Sequence, residues 1–337
     1  MYKVSILVPV YNAERFIERC ARSLFEQTYP DIEYVFVDDC SPDASIPILQ
    51  KVAVEYSERK EQIKLVVNER NRGASLSKNI AIENATGEFV CFVDADDWME
   101  VNAVELLVIE QLKTNADVVW GKALMHTDND QVELCEPHYK DKQQWLLCYC
   151  RFTTGLVMTN WKRIIRRKLF VKYDIKSADG FNYSEDKLLM SQVAYYAQSF
   201  STIDDLVYHY NRQNGLSATA QQLNNSFNLD IFRQEYGSLN LIEAFFSDKE
   251  TVYYEEAVKA KFKYLKGKMD EALYCSSHKG FRAVVNCINT SNPKYWGEIG
   301  WNSWKRAFYE NYYYMRYFPK VKRSVKRMLG KAKIWVL

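Results

Sequence analysis

Glycine is missing from the stretch after the first apolar run, "VPVYNAERF" (residues 8–16). A dinucleotide-binding turn needs G-x-G-x-x-G at that point, and a P-loop needs G-x-x-x-x-G-K-[ST]. Both are excluded, so a phosphate group bound at this edge is not cradled by backbone amides there and calls for a metal. Long hydrophobic runs are absent too: no segment approaches the ~18 uncharged apolar residues of a spanning helix. The N-terminal "MYKVSILVPVYNAERF" has too short an apolar core for a secretory leader and no small-residue cleavage site. A cytoplasmic protein is expected, at most resting on the inner face of the plasma membrane. The eight cysteines have neither zinc-site nor redox spacing, and reduced, buried thiols are the expectation. A net charge of +2 predicts no general attraction to nucleic acid. There is no internal repeat and no low-complexity linker.

What is present is a globular composition, with 47% hydrophobic residues in 337, ample for a packed core. The first third alternates strand and helix patterns. "VSILVPV", "IEYVFVDD", "IKLVVNE", "GEFVCFVD" and "ADVVWGKAL" are apolar runs of strand length. Continuous apolar character suits strands covered on both faces. Between them lie helical segments. "NAERFIERCARSLFEQ" places Phe16, Ile17, Cys20 and Leu24 on one face. "SPDASIPILQ" offers Ser41 as N-cap and Pro42 as first helical residue. "ASLSKNIAIENATG" predicts a helix closing at Gly87. Short connections between alternating elements imply a parallel sheet with helices on both faces. Residues 126–222 are less regular and rich in polar and aromatic side chains; from about 225 the pattern is helical.

The most hydrophobic strand runs directly into acids: "EFVCFVDADDWME" ends on Asp94, Asp96 and Asp97, and the second strand ends on Asp38 and Asp39. In an open α/β sheet ligands bind outside the carboxyl ends of the strands. Clustered carboxylates repel and hold protons tightly. A hard divalent cation, Mn²⁺ or Mg²⁺, relieves that and bridges to phosphates. The competing reading of a single such Asp is a helix cap, but five acids at two neighbouring strand ends point to a nucleoside diphosphate ligand.

Five segments in this order and spacing resemble the family 2 glycosyltransferases: "VSILVPVYN", "VFVDDCSPD", "NRGASLSKNIAI", "GEFVCFVDADD" and "YSEDKLL". The resemblance covers roughly residues 2–218. It implies an α/β chain of GT-A fold, with a Rossmann-like, mostly parallel sheet flanked by helices and a C-terminal helical extension. The implied catalytic domain spans 1–222, with a nucleotide-binding half (1–125) and an acceptor half (126–222); residues 223–337 form the helical region. The implied activity is inverting transfer of a sugar from a nucleotide-sugar donor, of UDP type, to a glycan or lipid-linked acceptor in surface polysaccharide synthesis, with Mn²⁺ or Mg²⁺ as cofactor.

Carried over residue by residue, the resemblance puts Pro9, Val10, Tyr11 and Asn12 against the nucleotide. Asp39 receives the base edge, with Asp38 beside it. Arg72, Gly73 and Asn79 of "NRGASLSKN" belong to the donor site, although Lys78 stands where the family usually has Arg. Asp94 and Ala95 meet the ribose or sugar, Asp96 ligates the metal, and Asp97 either orients that shell or caps the next helix. Asp186 is the general base and Glu185 its neighbour. In "VYHYNRQNGLSAT", His209 is either a further metal ligand or a diphosphate contact, and Arg212 a clamp on the diphosphate. Trp161 either stacks on a sugar or packs in the core.

Two other classes stay open. A nucleotidyltransferase would show a Gly-rich basic loop after the first strand. A non-catalytic sugar-nucleotide binder would be expected to have lost Asp39, Asp94, Asp96 or Asp186. The tail "SWKRAFYENYYYMRYFPKVKRSVKRMLGKAKIWVL" interleaves Lys and Arg with aromatic residues and carries a single acid, Glu310. Interfacial helices combine a basic face with aromatic anchors, so peripheral contact with an anionic membrane is expected there.

Overall fold

The computed structural model describes residues 2–152, 159–181, 184–214, 227–275 and 277–299. These fall into two compact units. One comprises the described residues up to 224 together with Asp230–Ala257; the other comprises Asn225–Leu229 and the residues from Val258 on.

The first unit is built on a nine-stranded mixed sheet. Strands β1 (Val4–Val10), β2 (Ile32–Asp38), β3 (Ile63–Val67) and β4 (Phe89–Phe92) are mutually parallel in the order β3-β2-β1-β4. The helical crossovers between them are α1 (Ile17–Phe25), α2 (Ser45–Glu55) and α3 (Ala74–Asn84). Val4, Ile6, Val8 and Val10 of β1 pack with Ile17, Cys20, Ala21 and Leu24 of α1 in one core. Leu7, on the other face of β1, is also fully buried, and α3 packs on β1 and β2. That two-sided cover is why β1 reads as an unbroken apolar run.

Beyond β4 the expected parallel order fails. The segment "ADVVWGKAL" forms β6 (Val118–His126), which does not pair with β4. A short strand, β8 (Arg163–Arg166), lies between them and is antiparallel to both. β6 then pairs in parallel with the long β9 (Phe200–Asn211) and antiparallel with β7 (Gln131–Leu134). β5 (Trp98–Met99), right after the acidic turn, pairs antiparallel with β9. The stretch judged irregular therefore carries three strands, together with α5 (Lys142–Arg151), α6 (Lys168–Tyr173) and α7 (Glu185–Tyr196). α4 (Ala103–Thr114) packs on β6 and β9.

Two predicted helix ends are corrected. α2 begins at Ser45, not Pro42, with Ala44 as its N-cap; the Asp43 carboxylate accepts from the Ser45 N–H at 3.1 Å and its hydroxyl at 2.5 Å, holding the turn before the helix. α3 stops at Asn84, and Gly87 serves a close approach rather than a C-cap. A Cβ there would lie 2.7 Å from the Lys3 carbonyl oxygen.

The helical region divides at a different place from 222/223. α8 (Leu229–Phe246) and the first turns of α9 (Thr251–Tyr274) belong almost entirely to the sheet-bearing unit. The second unit holds the rest of α9, α10 (His278–Thr290) and a 3-10 turn (Pro293–Ile299). Phe262, Leu265, Met269, Val284, Ile288 and Tyr295 are buried there. The basic aromatic tail lies outside the described residues. No described helix is long and apolar enough to cross a membrane. Cys20, Cys91 and Cys150 are buried free thiols, whereas Cys40 and Cys135 are exposed.

Candidate active site

The parallel register brings the ends of β1, β2 and β4 to one edge of the sheet. After β1, Tyr11 is half exposed and Asn12 adopts a left-handed backbone (φ 52°). Pro9 and Val10 form the tip of the strand below them. Asp38 and Asp39 have separate tasks. Asp38 accepts from the Ser41 N–H (2.8 Å), holding the loop after β2. Asp39 is almost fully buried. Its Oδ1 accepts from Asn68 Nδ2 and the Arg72 N–H, and its Oδ2 from the Gly73 N–H, each at 2.8 Å. The carboxylate thus shapes the loop before α3. Gly73 sits at φ 86°, ψ 164°, a backbone region open essentially to glycine alone. The Arg72 side chain is exposed on the rim.

The "DADD" turn is tied together by β9. The Asp97 N–H donates to the Asp94 carbonyl at 3.0 Å. The Tyr208 hydroxyl accepts from the Asp94 N–H (3.2 Å) and donates to Asp97 Oδ2 (2.7 Å). The Asn211 N–H donates to Asp97 Oδ1 (2.7 Å). Asp97 is therefore a buried anchor for the turn and caps nothing; α4 starts after Asn102. Burial, then Asp96 and Asp94, push the Asp97 carboxyl well above the usual carboxylate range, against the pull of the Asn211 and Tyr208 bonds. Ala95 is buried in the turn. Asp96 points its Oδ2 at Asn214 Nδ2 (2.8 Å). Burial and neighbouring Asp94 raise its pKa to about 6. A carboxylate held so reluctantly ionised suits a hard cation. Among the described residues no three His, Cys, Asp or Glu side chains converge as a complete metal cage.

The acceptor-side acids arrive at the N-terminus of α7. Ser184, just before them, has a left-handed backbone (φ 63°). From α3, the buried Lys78 ammonium reaches Asp186 Oδ1 at 2.6 Å, Glu185 Oε1 at 2.9 Å and Asp94 Oδ1 at 4.0 Å. The charge contact at this position is thus made with Lys in place of Arg. Burial pushes the Asp186 carboxyl up to about 7, with Lys78 opposing and Glu185 and Asp94 adding to the rise. Burial works against the Lys78 ammonium, but the three acids outweigh it and hold its pKa well above the lysine range. Asn79 gives both ends of its amide to the Ser177 peptide, at 2.9 Å each. It therefore tethers the acceptor half, with one amide N–H and one oxygen lone pair beyond these two bonds.

Both ring nitrogens of His209 are bonded to side chains. Nε2 meets Glu100 Oε1 at 2.7 Å and Nδ1 meets His126 Nε2 at 2.9 Å. Successive strand residues face opposite ways, so the face that sends Tyr208 to the acidic turn turns His209 away. The His209 ring stacks on Trp98 at 4.8 Å, and the Arg19 guanidinium lies over Trp98 at 3.5 Å. Beside them α1, Trp98, Met99 and Val101 line an open groove of about 550 Å³. The Arg212 N–H donates to the His126 carbonyl (2.8 Å). Trp161 is core: it stacks on Tyr208 (4.9 Å) and Tyr210 (5.5 Å).

Reading the sequence missed Tyr208, Asn211 and Asn214, all close to His209 and Arg212. The signal was the Asp97 carboxylate: an acid at the end of a buried strand requires donors, and a Tyr and an Asn on a facing strand supply them.

Comparison with known proteins agrees with this geometry. Residues 5–172 match the sequence model of Glycosyl transferase family 2. Glycosyltransferase GlyA of Streptococcus pneumoniae is 28% identical over 219 residues, 58% of this chain and 30% of that protein. The uncharacterized glycosyltransferase EpsJ of Bacillus subtilis is 30% identical over 224 residues, 64% of this chain and 62% of that protein. This chain thus matches less than two thirds of either relative. WfgD of Escherichia coli, a UDP-Glc:alpha-D-GlcNAc-diphosphoundecaprenol beta-1,3-glucosyltransferase, is 34% identical over 131 residues, 39% of this chain and 49% of that protein. Among solved structures, residues 1–349 of S. aureus TarS superpose with a TM-score of 0.60 at 22% identity, covering 88% of this chain and 80% of that one. The mannosyltransferase PcManGT of Pyrobaculum calidifontis, solved with GDP-Man and Mn²⁺, superposes at 0.55 and 15% identity, covering 98% of this chain and 88% of that one. These likenesses identify the mixed sheet and its flanking helices as the GT-A fold. With the five motifs in order along the chain and the family match beneath them, the chain belongs to glycosyl transferase family 2.

Proposed function

We propose that the protein transfers a sugar from a nucleoside diphosphate donor, of UDP type, to an acceptor hydroxyl with inversion at the anomeric carbon. The observation that carries this reading is the meeting of Glu185 and Asp186 with the donor-side Asp94 around one buried cation, with both acids 2.6–2.9 Å from it. TarS, of the same fold, has been solved with UDP-GlcNAc.

In this reading the acceptor hydroxyl lies against Asp186. Its oxygen attacks the anomeric carbon from the face opposite the diphosphate. The new C–O bond forms, the bond from the anomeric carbon to the phosphate oxygen breaks, and the hydroxyl proton passes to Asp186. A base whose pKa lies near 7 is suited to this at neutral pH. The developing positive charge on the sugar resembles that in glycoside hydrolysis. Tyr11, Asn12, Pro9, Val10 and the Arg72 rim border the nucleotide. A carboxylate offers about four acceptor positions; with three bonds already made, Asp39 keeps one for a base N–H.

Asp96 would hold the cation, Mn²⁺ or Mg²⁺. One carboxylate is enough where substrate phosphates complete the shell, and its raised pKa fits such a role. When bound, the cation stabilises the departing diphosphate. Arg212 would contact the diphosphate, and His209 would lie beside the cation site, its ring nitrogens bonded to Glu100 and His126. The acceptor would be a glycan or lipid-linked saccharide of a surface polysaccharide, since WfgD is named for a diphosphoundecaprenol acceptor.

The test is Asp186→Asn assayed with a panel of sugar nucleotides and Mn²⁺. Turnover should fall by about 10²–10⁴-fold, the usual worth of a general base, while nucleotide affinity stays unchanged. Lost donor binding with retained turnover would place Asp186 in the donor site instead. Pyrophosphate release from nucleoside triphosphates would favour a nucleotidyltransferase, and binding without turnover in the wild type a non-catalytic binder.

A further inference from the structure

We infer that Lys78 is a positioning residue of this reaction: its ammonium aims the Asp186 carboxylate and favours its charged form by joining the acceptor-side acids to the donor-side Asp94. The inference rests on the reading of Asp186 as base.

Three observations carry it. First, an ammonium has three N–H donors, and Lys78 faces three carboxylates, on Asp186 (2.6 Å), Glu185 (2.9 Å) and Asp94 (4.0 Å). Its side chain is only 3% exposed. Second, α3 acts as the ruler that sets where α7 begins. The Ser75 hydroxyl donates to the Phe181 carbonyl at 2.5 Å, Asn79 clamps the Ser177 peptide, and Lys78 grips the first two residues of α7. From the other side the Ser238 hydroxyl donates to the Ser184 carbonyl at 3.0 Å. Third, the charges around Asp186 are lopsided. α7 supplies Glu185, the turn after β4 supplies Asp94, and α3 supplies Lys78; the next cation on α7, Lys187, is directed at Glu235 (3.5 Å). Among the described residues, Lys78 is thus the cation within ion-pair reach of Asp186. Burial and the neighbouring acids all favour the protonated form of Asp186, and Lys78 opposes them.

A guanidinium would not be equivalent. Arg presents a planar fork, whereas an ammonium is a compact point charge with rotatable donors. The two effects, charge and aim, therefore separate by substitution.

The experiment measures kcat/KM against pH for the wild type, Lys78→Met and Lys78→Arg, with unfolding midpoints and donor affinity alongside. In Lys78→Met the acidic limb should move up by roughly 1–3 pH units, the worth of an opposite charge at this distance, with donor affinity kept. In Lys78→Arg the limb should stay in place while kcat falls. A folded Lys78→Met with its limb at the wild-type pH overturns the inference. If Lys78→Met does not fold, an unchanged kcat in Lys78→Arg overturns the aiming role, and a lowered kcat with an unmoved limb supports it. Asp186→Asn is run in parallel: should it keep full turnover, the assignment of the base fails, which is a different failure from an unmoved limb in Lys78→Met.

Discussion

At the residue scale, this site is a group of carboxylates that burial makes expensive to ionise. Asp96 lies at about 6 and Asp186 at about 7, and each has a partner suited to its task. Asp96→Ala should abolish transfer and leave the unfolding midpoint nearly unchanged, because it removes a strained charge rather than a stabilising one. Transfer assays with Mn²⁺ and thermal melts check this; full activity in the variant, or in wild type with excess chelator, would refute the metal reading. Asp186 also gives stability a pH slope. Its carboxyl is raised in the fold against an unfolded value of about 3.9. Between about pH 4 and 7 the folded chain holds a proton that the unfolded chain has released. The contribution of Asp186 to stability therefore falls as pH rises through that window, on the order of 1 kcal/mol per unit. Lys78 is protonated in both states there and adds no slope. Denaturant melts at pH 5 and 7.5 without metal should show wild type losing more stability than Asp186→Asn, and equal losses would contradict the assignment.

At the element scale, α3 links the two halves. Its start is set by the Asp39 carboxylate on the Arg72 and Gly73 N–H groups, and its body carries Lys78 and Asn79 to the acceptor side. Gly73→Ala puts a Cβ where φ 86°, ψ 164° admits glycine. A cost of about 1–3 kcal/mol is expected from such a backbone outlier. Activity should drop further than stability, since the displaced helix carries the ammonium away from Asp186. Urea midpoints and kcat measured together test this; a stability loss with normal kcat would show that α3 tolerates the shift. β8 has a comparable role in the sheet. It inserts antiparallel between β4 and β6 and carries the sheet on from the donor half toward β6 and β9.

At the scale of the whole molecule, the sheet-bearing unit holds every site residue discussed, and the sequence ends in the basic aromatic tail. The tail's cations, each worth about 1 kcal/mol near an anionic surface, lead us to propose peripheral membrane contact, which would bring lipid-linked acceptors within reach. Full-length protein should bind anionic liposomes, less so as salt rises, and lose that binding when residues 318–337 are removed. Equal binding by the truncated and full-length chains at low salt would refute it.

The sequence alone was enough to locate the strand ends and their acids. Apolar runs of strand length, interrupted by helical periodicity, must bury both faces, so Asp38, Asp39 and Asp94–Asp97 had to lie at the carboxyl edge. Five motifs in register further indicated the family. Partners across distant segments needed the tertiary structure. Lys78 looked like a substitution within a motif until α7 folded back over α3 and brought Asp186 to 2.6 Å. The protein partners of Asn79 and His209 could not be read from the sequence either. The structure gives Asn79 to the Ser177 peptide and encloses His209 between Glu100 and His126. The physical reason is that strand ends follow from local pattern, whereas a polar side chain's partner is set by whichever segments the sheet order places beside it. Here that order runs β4-β8-β6-β9-β5, which no local periodicity encodes.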